Sequence, residues 1–347
     1  MSTCNAVLSI LMAVATPSLA FAAQNETVES GQRAGTGRDV LEHYIGHWKY
    51  HERLEGTDGN TEGRTAEEVG RFICGGKFVE KRWVDPGGAS GLTIIGFDER
   101  TESYTSWSFS SRRSIGEMSG KWDAGTGTMT WTGPMGGTRF ESVERHREGR
   151  ISAQTQVSDK RGVPVVWGTS ENLRASPTAP ASLLERALCV VPESHLQELK
   201  PLQVFTGPWR ETLEINVPAR ETVRGEGTYV ARWCLSGAAQ LWEGHRETSL
   251  GSEEYLWVFT SDEERQELRA WWFSSEGAAV EYVGGRSPAS GVWRWQANGL
   301  PAAVHQSITC DATSPSRIQS RMEVRKGSSG SGITLRATAT RDGSPAN

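Results

Sequence analysis

A chain of 347 residues is longer than one average domain, and its 36% hydrophobic and 23% charged content is that of a globular protein. A formal net charge of −5 gives no footprint for nucleic acid or an anionic membrane. Glycine at 39 and tryptophan at 14 are high, and glycine with short aromatic runs points to a turn-rich β protein rather than a helical one.

The chain begins MSTCNAVLSILMAVATPSLAFAAQ, with an apolar run from Ala6 to Ala15 followed by Ala20-Phe21-Ala22, a small-x-small cleavage site. Residues 1–22 read as a signal peptide, atypical only in lacking Lys or Arg at its start. The mature chain is expected to be exported, periplasmic or extracellular, with no integral membrane segment. Export leaves Cys74, Cys189, Cys234 and Cys310 in a disulfide-permissive compartment, with three connectivities open. No pair has Cys-x-x-Cys spacing, so buried thiols or one structural disulfide outrank a redox dithiol or zinc knuckle.

HYIGHWKYH at 43–51 places three histidines four residues apart, a spacing that would surround an ion on a helix. Gly46 and Trp48 instead mark the passage from a short helix into a strand. There His47, Lys49 and His51 share one face, and Trp48, Tyr50 and Glu52 the other. Rings of His47 and His51 then stand roughly 13 Å apart, too far to share zinc. Neither a metal nor another cofactor is expected.

KFVEKRW at 77–83 sets Phe78, Glu80 and Arg82 against Val79, Lys81 and Trp83. A Glu80–Arg82 pair beside Phe78 is a candidate anchor for a ligand's polar head. The competing reading turns Val79 and Trp83 inward and leaves the pair on a solvated face. YTSWSF at 104–109 sets Tyr104, Ser106 and Ser108 against Thr105, Trp107 and Phe109, and TMTW puts Met129 with Trp131. Between these runs, DPGGASG, DERTES, DAGTG and GPMGG supply turns every 8–20 residues or so. Asp98 and Asp123 suit turn hydrogen bonds better than catalysis. A meander of antiparallel strands closing into a small barrel follows, because closure removes exposed edges.

Compared with itself, the chain repeats. LEHYIGHWKY at 41–50 matches LQVFTGPWRE at 202–211, Trp107 falls over Trp271, and Trp131 over Trp295. The offset grows from 161 (Trp48 to Trp209) to 164 (Trp107 to Trp271), so a short insertion lies after Gly237 in the second copy. Landmarks in one order at nearly one spacing indicate a tandem duplication of a unit of about 140 residues. Between the copies, ASPTAP is a linker, with short helices expected at 183–188 and 196–199.

IGHW, CGGKFVEKRW, IIGFDERTESYTSWSFSS and GKWDAGTGTMTWTG are pieces by which the first copy resembles an uncharacterised lipocalin-like domain family of exported bacterial proteins, within the calycin superfamily. The resemblance implies an all-β fold of two tandem antiparallel calycin-like barrels, each preceded by a short helix. Their extents are residues 38–176 and 201–342, with a linker at 177–200. It implies no established reaction. The second copy departs at VFTSDEE and at Arg286-Ser287, so family properties carry over to it less securely.

Such barrels usually hold a small apolar or amphipathic molecule inside. Candidate interior contacts are Trp107, Phe109 and Trp131 in the first copy and Trp271, Phe273 and Trp295 in the second, with Glu80 and Arg82 as the polar anchor. An inward aromatic in a small barrel more often fills core, and Trp48 and Trp209 suit plugs at the closed ends. No Gly-x-Ser-x-Gly, His-Glu-x-x-His, Walker or dinucleotide-binding pattern occurs, and no equivalent position is histidine in both copies. Glu253-Glu254 and Glu263-Glu264 read as solvated turn charge. The expected role is non-catalytic binding of a small hydrophobic or amphipathic ligand, or of an envelope partner. Two other classes stand beside it: an enzyme acting on a lipid or terpenoid, and an interaction module with filled barrels. Interior volume discriminates, since about 300 Å3 or more accommodates a ligand.

Overall fold

The computed structural model describes residues 37–176 and 199–342, apart from positions 58, 136–137, 263–264, 266 and 328–331. The leader at 1–22, the expected helices at 183–188 and 196–198, Cys189 and Glu263-Glu264 lie outside the described residues. Contacts divide the described residues into two compact units, 37–176 and 199–342.

The first unit opens with α1 (Arg38–Leu41) and a 3-10 turn (Glu42–Tyr44). Ten strands follow: β1 (Gly46–Gly56), β2 (Thr61–Ile73), β3 (Phe78–Val84), β4 (Ser90–Asp98), β5 (Ser103–Ser110), β6 (Ile115–Asp123), β7 (Thr128–Met135), β8 (Thr138–Arg147), β9 (Arg150–Ser158) and β10 (Pro164–Ser176). Each pairs antiparallel with the next, and β10 returns to β1, closing the barrel. Val40, Leu41 and Tyr44 pack with Trp48, Val79, Ile95, Tyr104, Met129 and Trp131 in one core, so α1 and its turn cap one end. At the loops, Asp98 Oδ1 accepts from Arg100 N and Asp123 Oδ1 from Gly125 N, the turn chemistry read from the sequence.

The second unit repeats the plan. A 3-10 helix (Lys200–Phe205) leads into β11 (Gly207–Asn216), β12 (Val223–Cys234), β13 (Ala239–Thr248), β14 (Gly251–Asp262), β15 (Glu267–Ser274), β16 (Ala279–Arg286), β17 (Trp293–Asn298), β18 (Val304–Ser314), β19 (Arg317–Lys326) and β20 (Gly332–Arg341), again closed, β20 on β11. The first strands of the two barrels open alike. Gly46 and Gly207 have φ of 119° and 116°, a region only glycine enters freely. Trp48 Nε1 donates to Tyr44 O at 3.2 Å, and Trp209 Nε1 to Phe205 O at 2.6 Å. Arg174 lies over the Trp48 ring at 4.6 Å and Arg341 over Trp209 at 4.7 Å. Lys81 pairs with Thr93 across the third hairpin and Trp242 with Trp257, so the extra residues sit in the β13–β14 hairpin, within the interval marked by the offset.

Cys74, Cys234 and Cys310 are buried. Burial pushes the Cys310 thiol up to about 12, which makes it inert.

Candidate functional site

Strand alternation leaves one decision open, namely which face of each strand turns inward. In barrel 1 the inner face of β3 is Val79, Lys81 and Trp83, since Val79 packs with Trp48 and Tyr44. Register carries that face across the sheet through Lys81↔Thr93↔Ser108 and Val79↔Ile95↔Ser106. Trp107 and Phe109 therefore point outward, which corrects the expected interior placement. Aromatic content alone favours them as core, but the inner face of β5 is Tyr104, Ser106 and Ser108. In barrel 2 the same correction applies to Trp271 and Phe273, because Ala270 and Trp272 face inward with Trp257 and Tyr282. Trp131 and Trp295 face inward as expected. Trp48 and Trp209 are each 1% exposed, beneath the capping turns.

Glu80 and Arg82 also point outward, on the face of Phe78, Ile94 and Trp107. They are not solvated, however: exposure is 0% for Glu80 and 4% for Arg82. Arg82 Nε donates to Glu80 Oε1 at 2.8 Å, and Arg71 Nε to Glu80 Oε2 at 2.5 Å. Burial pushes the Glu80 carboxyl up, but Arg82 and Arg71 outweigh it and hold it below the usual range. This is a buried structural ion cluster rather than a ligand anchor.

Inside barrel 1 lies a cavity of about 510 Å3. Its wall includes Ala66, Trp83, Phe140 and Ile151, and polar groups converge on it from strands far apart in sequence. Tyr44 Oη donates to Glu144 Oε2 at 2.7 Å, and His146 Nε2 meets the same oxygen at 3.2 Å. Lys81 Nζ stands 3.0 Å from Glu68 Oε1 and 5.0 Å from the centre of the Tyr44 ring. The Glu144 side chain keeps 20% exposure and lines the cavity, while Oε2 is held by two partners. Burial pushes the Glu144 carboxyl up, but His146, Lys81 and Tyr44 together hold it below the usual range, so it is a fixed anionic acceptor. Burial and the neighbouring Glu144 push the Tyr44 phenol well up, so it remains a donor. Asn172 Oδ1, also at the wall, is buried without a partner among the described residues. The backbone permits this crowding at one point in particular: a Cβ on Gly70 would stand 1.9 Å from Tyr44 O.

Barrel 2 is filled instead. Two spaces in its interior, lined by described residues, are only about 80 and 50 Å3. Trp242, Trp257 and Trp272 occupy the register positions that Lys81, Thr93 and Ser108 hold in barrel 1. Tyr229 stacks between Trp209 and Trp242, at 6.2 and 5.5 Å. Three indoles replace an amine and two hydroxyls, and the space closes.

A polar remnant persists there. Arg246 Nε and Tyr255 Oη both donate to Glu211 Oε1, at 2.7 and 3.1 Å. Glu253, read from sequence as solvated turn charge, lies on the inner face of β14, because the longer β13–β14 hairpin carries the strand past it. Burial pushes its carboxyl up to about 6 from 4.5. A raised carboxyl destabilises the fold once ionised, so its contribution is fully present below pH 4.5 and is lost as pH rises through 6. Glu253→Gln is expected to remove that loss, flattening the stability profile between pH 4.5 and 7.5 by up to about 2 kcal/mol. Urea unfolding of both forms across that range checks it.

Sequence reading missed Glu68, Lys81, Glu144, His146 and Tyr44 because they come from separate strands and a turn. The signal lay in comparing the halves at inward positions, where an apolar residue in one stands against a charged one in the other.

Among known families, the one described as a protein of unknown function (DUF1579) matches residues 33–159, a stretch that includes α1 and β1 to β9 of barrel 1. This part of the chain is thus similar to an uncharacterised barrel domain family. No curated protein matches the chain. Solved structures with a similar course include a DUF3598-family protein of unknown function from Nostoc punctiforme, 9% identical over 88% of this chain and 99% of that one, with a TM-score of 0.28. The S-type phycobiliprotein lyase CPES from Guillardia theta is 11% identical over 44% of this chain and 99% of its own, at 0.30. Kievitone hydratase from Nectria haematococca is 7% identical over 88% and 95%, at 0.20. Likenesses this distant carry nothing about function.

Proposed function

We propose that barrel 1 holds one small amphipathic molecule in its interior and that barrel 2 is a filled companion without a ligand. The observation that carries this is the contrast between a cavity of about 510 Å3 and interior spaces of about 80 and 50 Å3. Ligand sites fall at roughly 300–1,000 Å3, which includes the first and excludes the others. The polar end of the ligand is a hydrogen-bond donor, a hydroxyl or an amine, matched to two acceptors on the wall, Glu144 and Asn172 Oδ1. Its body packs on Trp83, Phe140 and Ile151. The shared Gly-x-Trp openings, stacked arginines and register support descent of the two barrels from one duplicated unit. The leader read at 1–22 supports binding outside the cytoplasm.

1-Aminoanthracene has this chemistry, an apolar body with one amine donor. Its fluorescence should rise and saturate at one equivalent per chain. Glu144→Gln removes the charge that accepts the donor and should weaken binding by about tenfold. Saturation at two equivalents, or equal affinity in the variant, would contradict the reading.

A further inference from the structure

Charges lining the cavity of barrel 1 do not balance. Near its floor, Lys81 Nζ lies 3.0 Å from Glu68 Oε1, and the same amine is the Lys or Arg charge that acts on Glu144. One cation there answers two carboxylates. Higher on the wall, Glu52 stands opposite Arg64 in the β1–β2 pair, but Arg64 Nε is already bonded to Glu62 Oε1 at 2.9 Å. At the rim, Asp85 and Arg112 contribute one charge each. With histidine neutral, four carboxylates in the lining meet three cations, and Glu62 outside it takes up one of the three.

The excess is best placed for a ligand at Glu144. Tyr44 and His146 both occupy Oε2, whereas Oε1 carries no hydrogen bond among the described residues. The side chain keeps its 20% exposure at the cavity wall. Asn172, 8% exposed, adds Oδ1 as a second unpaired acceptor. Register sets these two on either side of β9, where Glu144 pairs with Ala153 and Asn172 with Ile151. The strand between them therefore supplies neither acceptor with a side-chain donor.

We propose that the head of the bound molecule is an ammonium, selected by the cavity over a neutral hydroxyl and over a carboxylate. This deepens the reading of barrel 1 as the site of one amphipathic molecule and rests on it. An ammonium has three N–H donors and no acceptor, the complement of Glu144 Oε1 and Asn172 Oδ1. A hydroxyl makes the hydrogen bond alone, whereas the ammonium adds an ion pair inside a barrel, where attraction between charges exceeds its value in water. The water that an ammonium sheds on entry is replaced by those two acceptors. A carboxylate head would find N–H groups on Lys81, but Glu68 and Glu144 flank that amine, so a single cation would serve three anions. Amphiphiles with an acidic head are thereby disfavoured.

The test is isothermal titration calorimetry of the full chain at neutral pH with three molecules that share a naphthalene body. They are 2-naphthylmethylamine, a cation; 2-naphthalenemethanol, neutral; and 2-naphthoate, an anion. The amine should bind at least about tenfold tighter than the alcohol, and the alcohol tighter than 2-naphthoate. Glu144→Gln should erase the advantage of the amine over the alcohol, while Asn172→Ala should weaken both and keep their order. Glu148→Gln, at an exposed turn, controls for general attraction to an acidic chain and should leave amine affinity unchanged. Equal affinity for amine and alcohol, tightest binding of 2-naphthoate, or an amine preference that survives Glu144→Gln would each overturn the ammonium assignment while amphipathic binding stood. Failure of all three molecules together with 1-aminoanthracene would remove the binding reading itself, and this inference with it.

Discussion

Trp48→Ala is expected to remove about 3–5 kcal/mol from the stability of barrel 1, the range for deleting a fully buried large aromatic. The indole is 1% exposed in the core beneath α1, donates to Tyr44 O and carries the Arg174 guanidinium on its face. Alanine leaves a cavity there, strips a backbone acceptor of its donor and frees the turn that holds Tyr44. Tyr44 in turn fixes Glu144, so ligand affinity should fall alongside stability. Denaturant unfolding followed by near-ultraviolet circular dichroism reads the first effect, and 1-aminoanthracene titration of the folded fraction reads the second. Val69→Ala, on the outer face of β2, should lose stability without losing affinity at saturating folded protein. That separates a positional effect from simple unfolding.

The second large effect is on binding alone. Ala66 lines the cavity of barrel 1 midway along β2, and the matching register position in barrel 2 is Gly227. Ala66→Trp places an indole where the ligand body lies, doing in barrel 1 what Trp242, Trp257 and Trp272 do in barrel 2. Dye affinity should drop by at least about a hundredfold, the full loss of a site whose volume is taken. Stability should hold or rise, because the new side chain fills space rather than overpacking a dense core. An unchanged affinity would mean that the dye binds elsewhere.

Much of the architecture was legible because it rests on local rules. Gly46 and Gly207 need a positive φ, Trp48 and Trp209 follow at a fixed distance, and turn residues punctuate every strand. The two closed barrels follow from those landmarks. Orientation was less legible. In YTSWSF either face satisfies the alternation, and choosing the aromatic side assumes that the barrel interior is the most apolar place available. Barrel 1 departs from that assumption: its interior is partly polar and open, and Trp107 and Phe109 stand on the outer face with Phe78 and Ile94. The charged strand KFVEKRW misled in the same way. Its informative member was Lys81, not Glu80 or Arg82, and only the register with Glu68 and the packing on Tyr44 reveal it. Constellations assembled from residues about a hundred positions apart, such as Tyr44 with Glu144 and His146, leave no local trace.

The most direct measurement is native mass spectrometry of the full chain isolated without denaturation, together with Ala66→Trp prepared identically. One discrete extra mass is expected on the native chain, a molecule with an apolar body and a donor head, released by denaturation and absent from Ala66→Trp. An extra mass retained by Ala66→Trp, two per chain, or the bare chain even after incubation with 1-aminoanthracene would contradict a single ligand held inside barrel 1.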